Sequence, residues 1–211
     1  MLEKELKAWP KLLAYYQMAA EELESDLKII DMDWKIRLGY SPIEHLKVRI
    51  KSIDSIQKKL DKKGYSANFE NVKLHVLDLV GARIITSFEE DVYLILAHLQ
   101  ERDDYRILKV KDYIVHPKPS GYRSLHVIAE IEVVLHHETV WIPIEIQVRT
   151  LAMDFWAATE HKLQYKYPKG NIPEAAMIGL QQIATTSQKL DQGMSLIRQE
   201  IIQRTQEEEQ E

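Results

Sequence analysis

Thr139-Val-Trp-Ile-Pro-Ile-Glu-Ile-Gln-Val148, continued by Arg149 and Thr150, is a β-branched run that from Ile144 onward alternates apolar and polar residues with a period of two. Side chains of an extended strand project to opposite faces in turn, so Ile144, Ile146 and Val148 point one way and Glu145, Gln147 and Arg149 the other. One face is core, and the other carries a carboxylate, an amide and a guanidinium in a row. Three more β-branched runs precede this one: Val80-Gly-Ala-Arg-Ile-Ile-Thr86, Tyr105-Arg-Ile-Leu-Lys-Val110 and Leu125-His-Val-Ile-Ala-Glu-Ile131. A short helix, Glu89 to Gln100, is expected between the first two. Helical patterns resume from about Thr150 to Tyr167 and from Pro173 to Gln203. This order predicts an α+β fold, a mixed β-sheet flanked by N- and C-terminal helices.

Upstream, Leu6, Leu13, Leu23, Leu27 and Ile30 predict one or two amphipathic helices, broken near Pro10. Ser41-Pro-Ile-Glu44 reads as a helix start, with Ser41 as cap, Pro42 in the first turn and Glu44 closing a capping box. The expected helix carries an apolar seam of Ile43, Leu46, Ile50, Ile53 and Leu60 and stops at Gly64. Lys51, Ser55 and Lys59, spaced by four, would stack along another of its faces. The division expected is a helical extension over 1–40, one domain over 41–167, and a C-terminal helix with an acidic tail over 168–211. That last helix, about 30 residues and so roughly 45 Å long, carries Leu180, Ile183, Leu190, Met194, Ile197 and Ile201. An apolar stripe on a helix longer than the domain body points to a homo-oligomer.

The chain has 211 residues and no cysteine, which excludes a disulfide scaffold and a thiolate metal site. No apolar run is long enough to cross a bilayer and the charged N-terminus is unlike a secretory signal, so a cytoplasmic protein without a membrane partner is expected. With 28 basic and 33 acidic residues the net charge is -5, unlike a uniformly basic nucleic-acid binder. The cations are concentrated, however. Residues 47–63 hold seven against two acids, and residues 105–126 hold five against one. Two basic blocks in an acidic chain suggest a focused anion site.

Tyr122, Ser124 and His126 follow a Pro-Ser-Gly turn and share one side of a strand, a grouping suited to a planar polar ligand such as a nucleobase. Asp78 lies near Gly81 and Arg83, where a glycine lets the backbone approach a ligand. Asp78 and Glu145 together are suited to Mg²⁺, which takes few carboxylates plus phosphate oxygens. No histidine spacing suits zinc, and there is no Walker loop, G-x-G-x-x-G or G-x-S-x-G.

Ser41-Pro-Ile-Glu44 with Arg49-x-Lys51, Asp78-x-x-Gly-x-Arg83, Lys111-Asp-Tyr113, Gly121-Tyr-Arg-Ser-x-His126, Glu145-Ile-Gln-Val-Arg-Thr150 and Trp156 to His161 together resemble the RelA/SpoT-homologue synthetase domain, in order from about residue 41 to 167. The length is similar to that of the small single-domain alarmone synthetases. The resemblance implies Mg²⁺-dependent transfer of the β,γ-pyrophosphate of ATP to the ribose 3′-hydroxyl of GDP or GTP, giving AMP and (p)ppGpp. It implies that Arg49 and Arg83 sandwich the adenine, and that Lys51, Ser55 and Lys59 hold ATP phosphates. Asp78 and Glu145 would ligate the metal, with Glu145 also the general base. Tyr122 would stack the guanine, while Lys109, Lys111, Arg123 and His126 would meet the acceptor's phosphates or ribose, and Gln147, Asp154 and His161 would support the site. Family members are often homotetramers. No His-Asp dipeptide occurs, so synthesis without hydrolysis is expected, as is the absence of a ribosome-sensing C-terminal region. The competing readings are a non-catalytic module binding a guanine nucleotide or RNA, and a toxin-like transfer to adenine nucleotides or tRNA.

Overall fold

The structure, a computed structural model, describes residues 2–66, 68–166 and 173–208. Tyr167, the start of the C-terminal region at 168, and tail residues Glu209 and Glu211 lie outside them. The elements run α1 (Leu2–Leu38), β1 (His45–Ile50), α2 (Ile53–Lys62), α3 (Phe69–His75), β2 (Val80–Thr86), α4 (Glu89–Glu101), β3 (Tyr105–Asp112), β4 (Leu125–Val134), β5 (Thr139–Thr150), α5 (Leu151–Lys166) and α6 (Glu174–Glu208). The sheet order is β1-β2-β5-β4-β3, with β2 and β5 parallel and the other pairs antiparallel. The α+β expectation therefore holds, with one more strand than the sequence pattern supplied.

That strand corrects the expected helix from Ser41. Residues 45–50, His-Leu-Lys-Val-Arg-Ile, alternate polar and apolar and pair along β2 from His45↔Ile85 to Ile50↔Val80. Glu44 caps no helix. Its backbone N–H donates to the Ile85 carbonyl at 2.8 Å and its carboxylate accepts from the Ser87 hydroxyl at 2.6 Å. The helix begins at Ile53, with Ser52 as cap. Its end is as expected. Gly64, at φ 76°, donates to the Asp61 carbonyl, and Tyr65 donates to that of Leu60, the Schellman arrangement. At the N-terminus α1 runs as one helix past residue 10 rather than breaking there.

One sheet face is core. Ala82, Ile84, Ile144, Ile146, Val148, Val127 and Ala129 pack there with Tyr16, Ala19, Leu23 and Leu27 of α1 and with Val92, Ile95 and Leu99 of α4. Burial of such side chains, worth about 1.5–3 kcal/mol each for the larger ones, fixes the face, and strand alternation then forces their neighbours onto the other side. α5 packs against β5 and β2, and α6 packs on α5 and α4. Among the described residues no helix is long and apolar enough to cross a membrane.

Candidate active site

Register lines up the polar face in two rows. One runs Arg49–Gly81–Glu145–Ile128–Lys109 and the other Lys47–Arg83–Gln147–His126–Lys111, across all five strands. Lys109 and Lys111 reach this face through a bulge between Ile107 and Lys109, because one extra residue inverts which side the following positions present. A side chain at Gly81 would stand in the row between Arg49 and Glu145.

A cavity of about 390 Å³ opens over these rows, lined by Lys47, Arg49, Lys51, Ser55, Asp78, Arg83, Glu145 and Gln147 among others. Asp78 precedes β2 and takes an ion pair from Lys59 at 2.7 Å and another from Lys51. Burial pushes the Asp78 carboxyl up, but the two ammonium groups outweigh it and hold the group below the usual carboxylate range. Lys51 and Ser55 do not share a helix as the spacing suggested. Lys51 lies in the β1–α2 link, yet it converges with Lys59 on one carboxylate.

Glu145 accepts from His126 Nδ1 at 2.9 Å, while His126 Nε2 lies 2.8 Å from the Tyr122 hydroxyl. The bond from His126 holds the Glu145 carboxyl below its usual range against burial and against the charge of Asp78. That electrostatic coupling and the shared cavity put Asp78 and Glu145 on the same side of the molecule. Among the described residues no group of three His, Cys, Asp or Glu side chains could hold a metal. Two carboxylates opening on one cavity fit Mg²⁺, which completes its shell with water and phosphate oxygens.

Tyr122 meets Tyr113, His126 and Trp156 edge-on, with the Lys118 ammonium 4.7 Å from its ring centroid. Its loop is seated on α6. Gly121 has φ 93°, and a Cβ there would meet the Ala184 Cβ at 2.6 Å. Gln181 donates to the Pro119 carbonyl at 2.7 Å, and the Trp156 indole donates to that of Leu180 at 3.0 Å.

Three expectations need correction or refinement. Arg123 does not face the cleft: it is 6% exposed and pairs with Glu89 at 2.8 Å and Asp191 at 3.7 Å, tying its loop to α4 and α6. Ser124 is fully buried and its hydroxyl donates to the Val148 carbonyl at 3.2 Å, so it is turned away from a ligand. Asp154 pairs with Arg149 at 3.2 Å and Arg83 at 3.8 Å, and His161 is exposed on α5. Two residues were missed. Lys47 lines the cavity, and the alternation of 45–50 was the signal for it. Arg149 is one of a polar row in the sequence, and in the structure it donates to Tyr122, Gln147 and Asp154 and so anchors these neighbouring side chains.

Residues 48–170 match the family model described as a region found in RelA/SpoT proteins. The chain is 40% identical over 200 residues to GTP pyrophosphokinase YwaC of Bacillus subtilis, covering 95% of each. Among solved structures, small alarmone synthetase 2 from Bacillus subtilis superposes with a TM-score of 0.82 at 41% identity, covering 92% of this chain and 99% of that one. Small alarmone synthetase 1 from the same organism, bound to its product pppGpp, superposes at 0.81 with 36% identity, covering 92% and 98%.

Proposed function

The chain belongs to the RelA/SpoT family, and from that premise we propose that it is a GTP pyrophosphokinase, making (p)ppGpp and AMP from ATP and GDP or GTP. The observation that carries this reading is the register that sets Glu145 on one sheet face with Arg49, Lys109, Lys47, Arg83 and Lys111, over a cavity that also contains Asp78. Two nucleotides must meet in that space. A pair of unit charges 4 Å apart repels by about 4 kcal/mol at an effective dielectric of 20, so catalysis rests on offsetting charge and on alignment.

In this reading Arg49 and Arg83 hold the adenine between guanidinium planes. Lys51, Ser55 and Lys59 take the phosphates, with Lys47 beside them; the ammonium groups now on Asp78 are within reach of the incoming anion. Tyr122 carries the guanine, and Lys109, Lys111, His126 and Gln147 face the acceptor's sugar and phosphates. The acceptor's 3′-oxygen attacks the β-phosphorus of ATP, the bridge from that phosphorus to the α-phosphate oxygen breaks, and AMP leaves. Glu145 receives the hydroxyl proton, its free carboxylate lone pairs remaining open to the cavity. Mg²⁺ held by Asp78 and Glu145 would neutralise charge on the transferred phosphates. Arg123 and Ser124 have no part, their partners being internal.

We read the division as the sequence suggested, with the synthetase domain near 41–167, and the assembly as a homotetramer. Supporting this, Ile29, Met32 and Ile36 of α1 and Leu190, Met194, Ile197 and Ile201 of α6 are exposed. The test uses γ-labelled ATP, Mg²⁺ and separately GDP, GTP, ADP or tRNA. Label should appear on guanine nucleotides only. No transfer would favour a binding module, and label on tRNA a toxin-like transferase. EDTA should abolish the product.

A further inference from the structure

Arg149 is 5% exposed and its guanidinium is committed to internal acceptors, and through them it holds one side of each base-binding region. Its guanidinium donates to the Tyr122 hydroxyl at 2.7 Å, to Gln147 Oε1 at 2.9 Å, to Asp154 Oδ1 at 3.2 Å and to Ser124 Oγ at 3.4 Å. The same Asp154 oxygen lies 3.8 Å from the Arg83 guanidinium. Asp154 is thus the shared counter-ion of two like charges. Burial and the charge of Arg149 both weaken Arg83's hold on its proton, and Asp154 opposes them.

A planar fork bonded to several acceptors cannot follow one of them without pulling on the rest. Tyr122 is gripped by its hydroxyl, with ring edges against Tyr113 and Trp156, so any shift that seats a base on the ring is passed to Arg149. Asp154, on the first turn of α5, then changes its share between Arg149 and Arg83.

We propose that Arg149 and Asp154 are positioning residues that couple the Tyr122 side of the cleft to the Arg83 side, so that a purine nucleotide on either side favours binding on the other. The proposal rests on the functional reading above for which nucleotide occupies which side. It requires reciprocity, because a coupling free energy acts equally in both directions.

The test is calorimetric titration of the full-length protein with GDP and with α,β-methylene ATP, in Mg²⁺, each alone and in the presence of the other. Each ligand should bind wild type about fivefold or more tightly when the other is present, within the usual range for coupled sites. In Asp154→Asn and Arg149→Lys that factor should fall to near one. Tyr122→Phe, which keeps the ring and loses the grip, should also bring it near one while GDP still binds. A wild-type factor of one, or a factor that survives in Asp154→Asn and Tyr122→Phe, overturns the coupling. Those two half-buried positions keep the test decisive if Arg149→Lys does not fold. Wild-type transfer of label shows separately whether the functional reading stands. Absence of nucleotide binding by wild type would overturn both.

Discussion

His126 Nδ1 lies 2.9 Å from Glu145 Oε1. A carboxylate only accepts, so Nδ1 carries the hydrogen, and the other ring nitrogen of a neutral imidazole then accepts from the Tyr122 hydroxyl. Arg149 donates to that hydroxyl oxygen at 2.7 Å. Every donor in the chain Arg149–Tyr122–His126–Glu145 has an acceptor, which leaves Glu145 ionised and oriented.

Glu145→Gln keeps the size of this side chain and removes its capacity to take a proton. Transfer of label should fall at least about 100-fold, the lower end of general-base contributions, while the thermal midpoint stays within a few degrees. A variant within tenfold of wild type would defeat the assignment.

Lys51→Met should act on the donor nucleotide. A charge-assisted hydrogen bond contributes about 1.5–3 kcal/mol, so the KM for ATP should rise roughly 10- to 100-fold with little change for GDP. Steady-state kinetics with each substrate varied in turn will show the split, and equal losses on both would mean that the two sides of the cleft are wrongly assigned.

Gly121→Ala should be costly despite the small change. The backbone there sits at φ 93° and the new methyl would fall 2.6 Å from the Ala184 Cβ. Overpacking of this kind costs about 1–3 kcal/mol, to which the left-handed backbone adds. Denaturant unfolding should show that loss, and the KM for GDP should rise because the loop bearing Tyr122 lifts from α6. Ala184→Gly in the same chain should restore part of both.

Asp191 gives a pH dependence of stability. Burial raises its carboxyl from 3.8 to about 6, against the hydrogen bond from Thr150 and the charge of Arg123. The folded state therefore holds the proton more tightly than the unfolded chain, and the stability this brings is lost as pH rises from about 4 through 6. Asp191→Asn lacks the titration. The thermal midpoint of wild type minus that of the variant should decline across this window; a flat or rising difference would contradict the assignment.

Much of this arrangement was legible beforehand, and particular residues show where legibility stopped. The period-two pattern around Glu145 identified both the core face and the polar face, because alternation is local geometry. The same pattern in residues 45–50 was masked by Ser41-Pro-Ile-Glu44, which resembles a helix cap. A cap contributes about 1 kcal/mol. The strand alternative satisfies a whole ladder along β2 and packs the half-buried Leu46, Val48 and Ile50 against the core, so the local preference loses. Arg123 and Arg149 look alike as cations in polar runs. Arg123 was buried by Glu89 and Asp191, from α4 and α6 and far away in sequence. Arg149 has Gln147 and Asp154 close by in the chain, but the Tyr122 and Ser124 that complete its surroundings come from a loop about 25 residues away.

The order of residue types alone determined the fold class, the two carboxylates, the pairing of Tyr122 with His126 and the concentration of cations, since each depends on chemistry or periodicity within a short stretch. Only the tertiary structure decided which cations reach the cleft. Sheet register set Lys47 beside Arg83, a one-residue bulge turned Lys109 and Lys111 outward from the core face, and helix packing withdrew Arg123. Register, bulge and packing are settled by contacts between segments tens of residues apart, where the burial of many side chains outweighs the preference of any one of them.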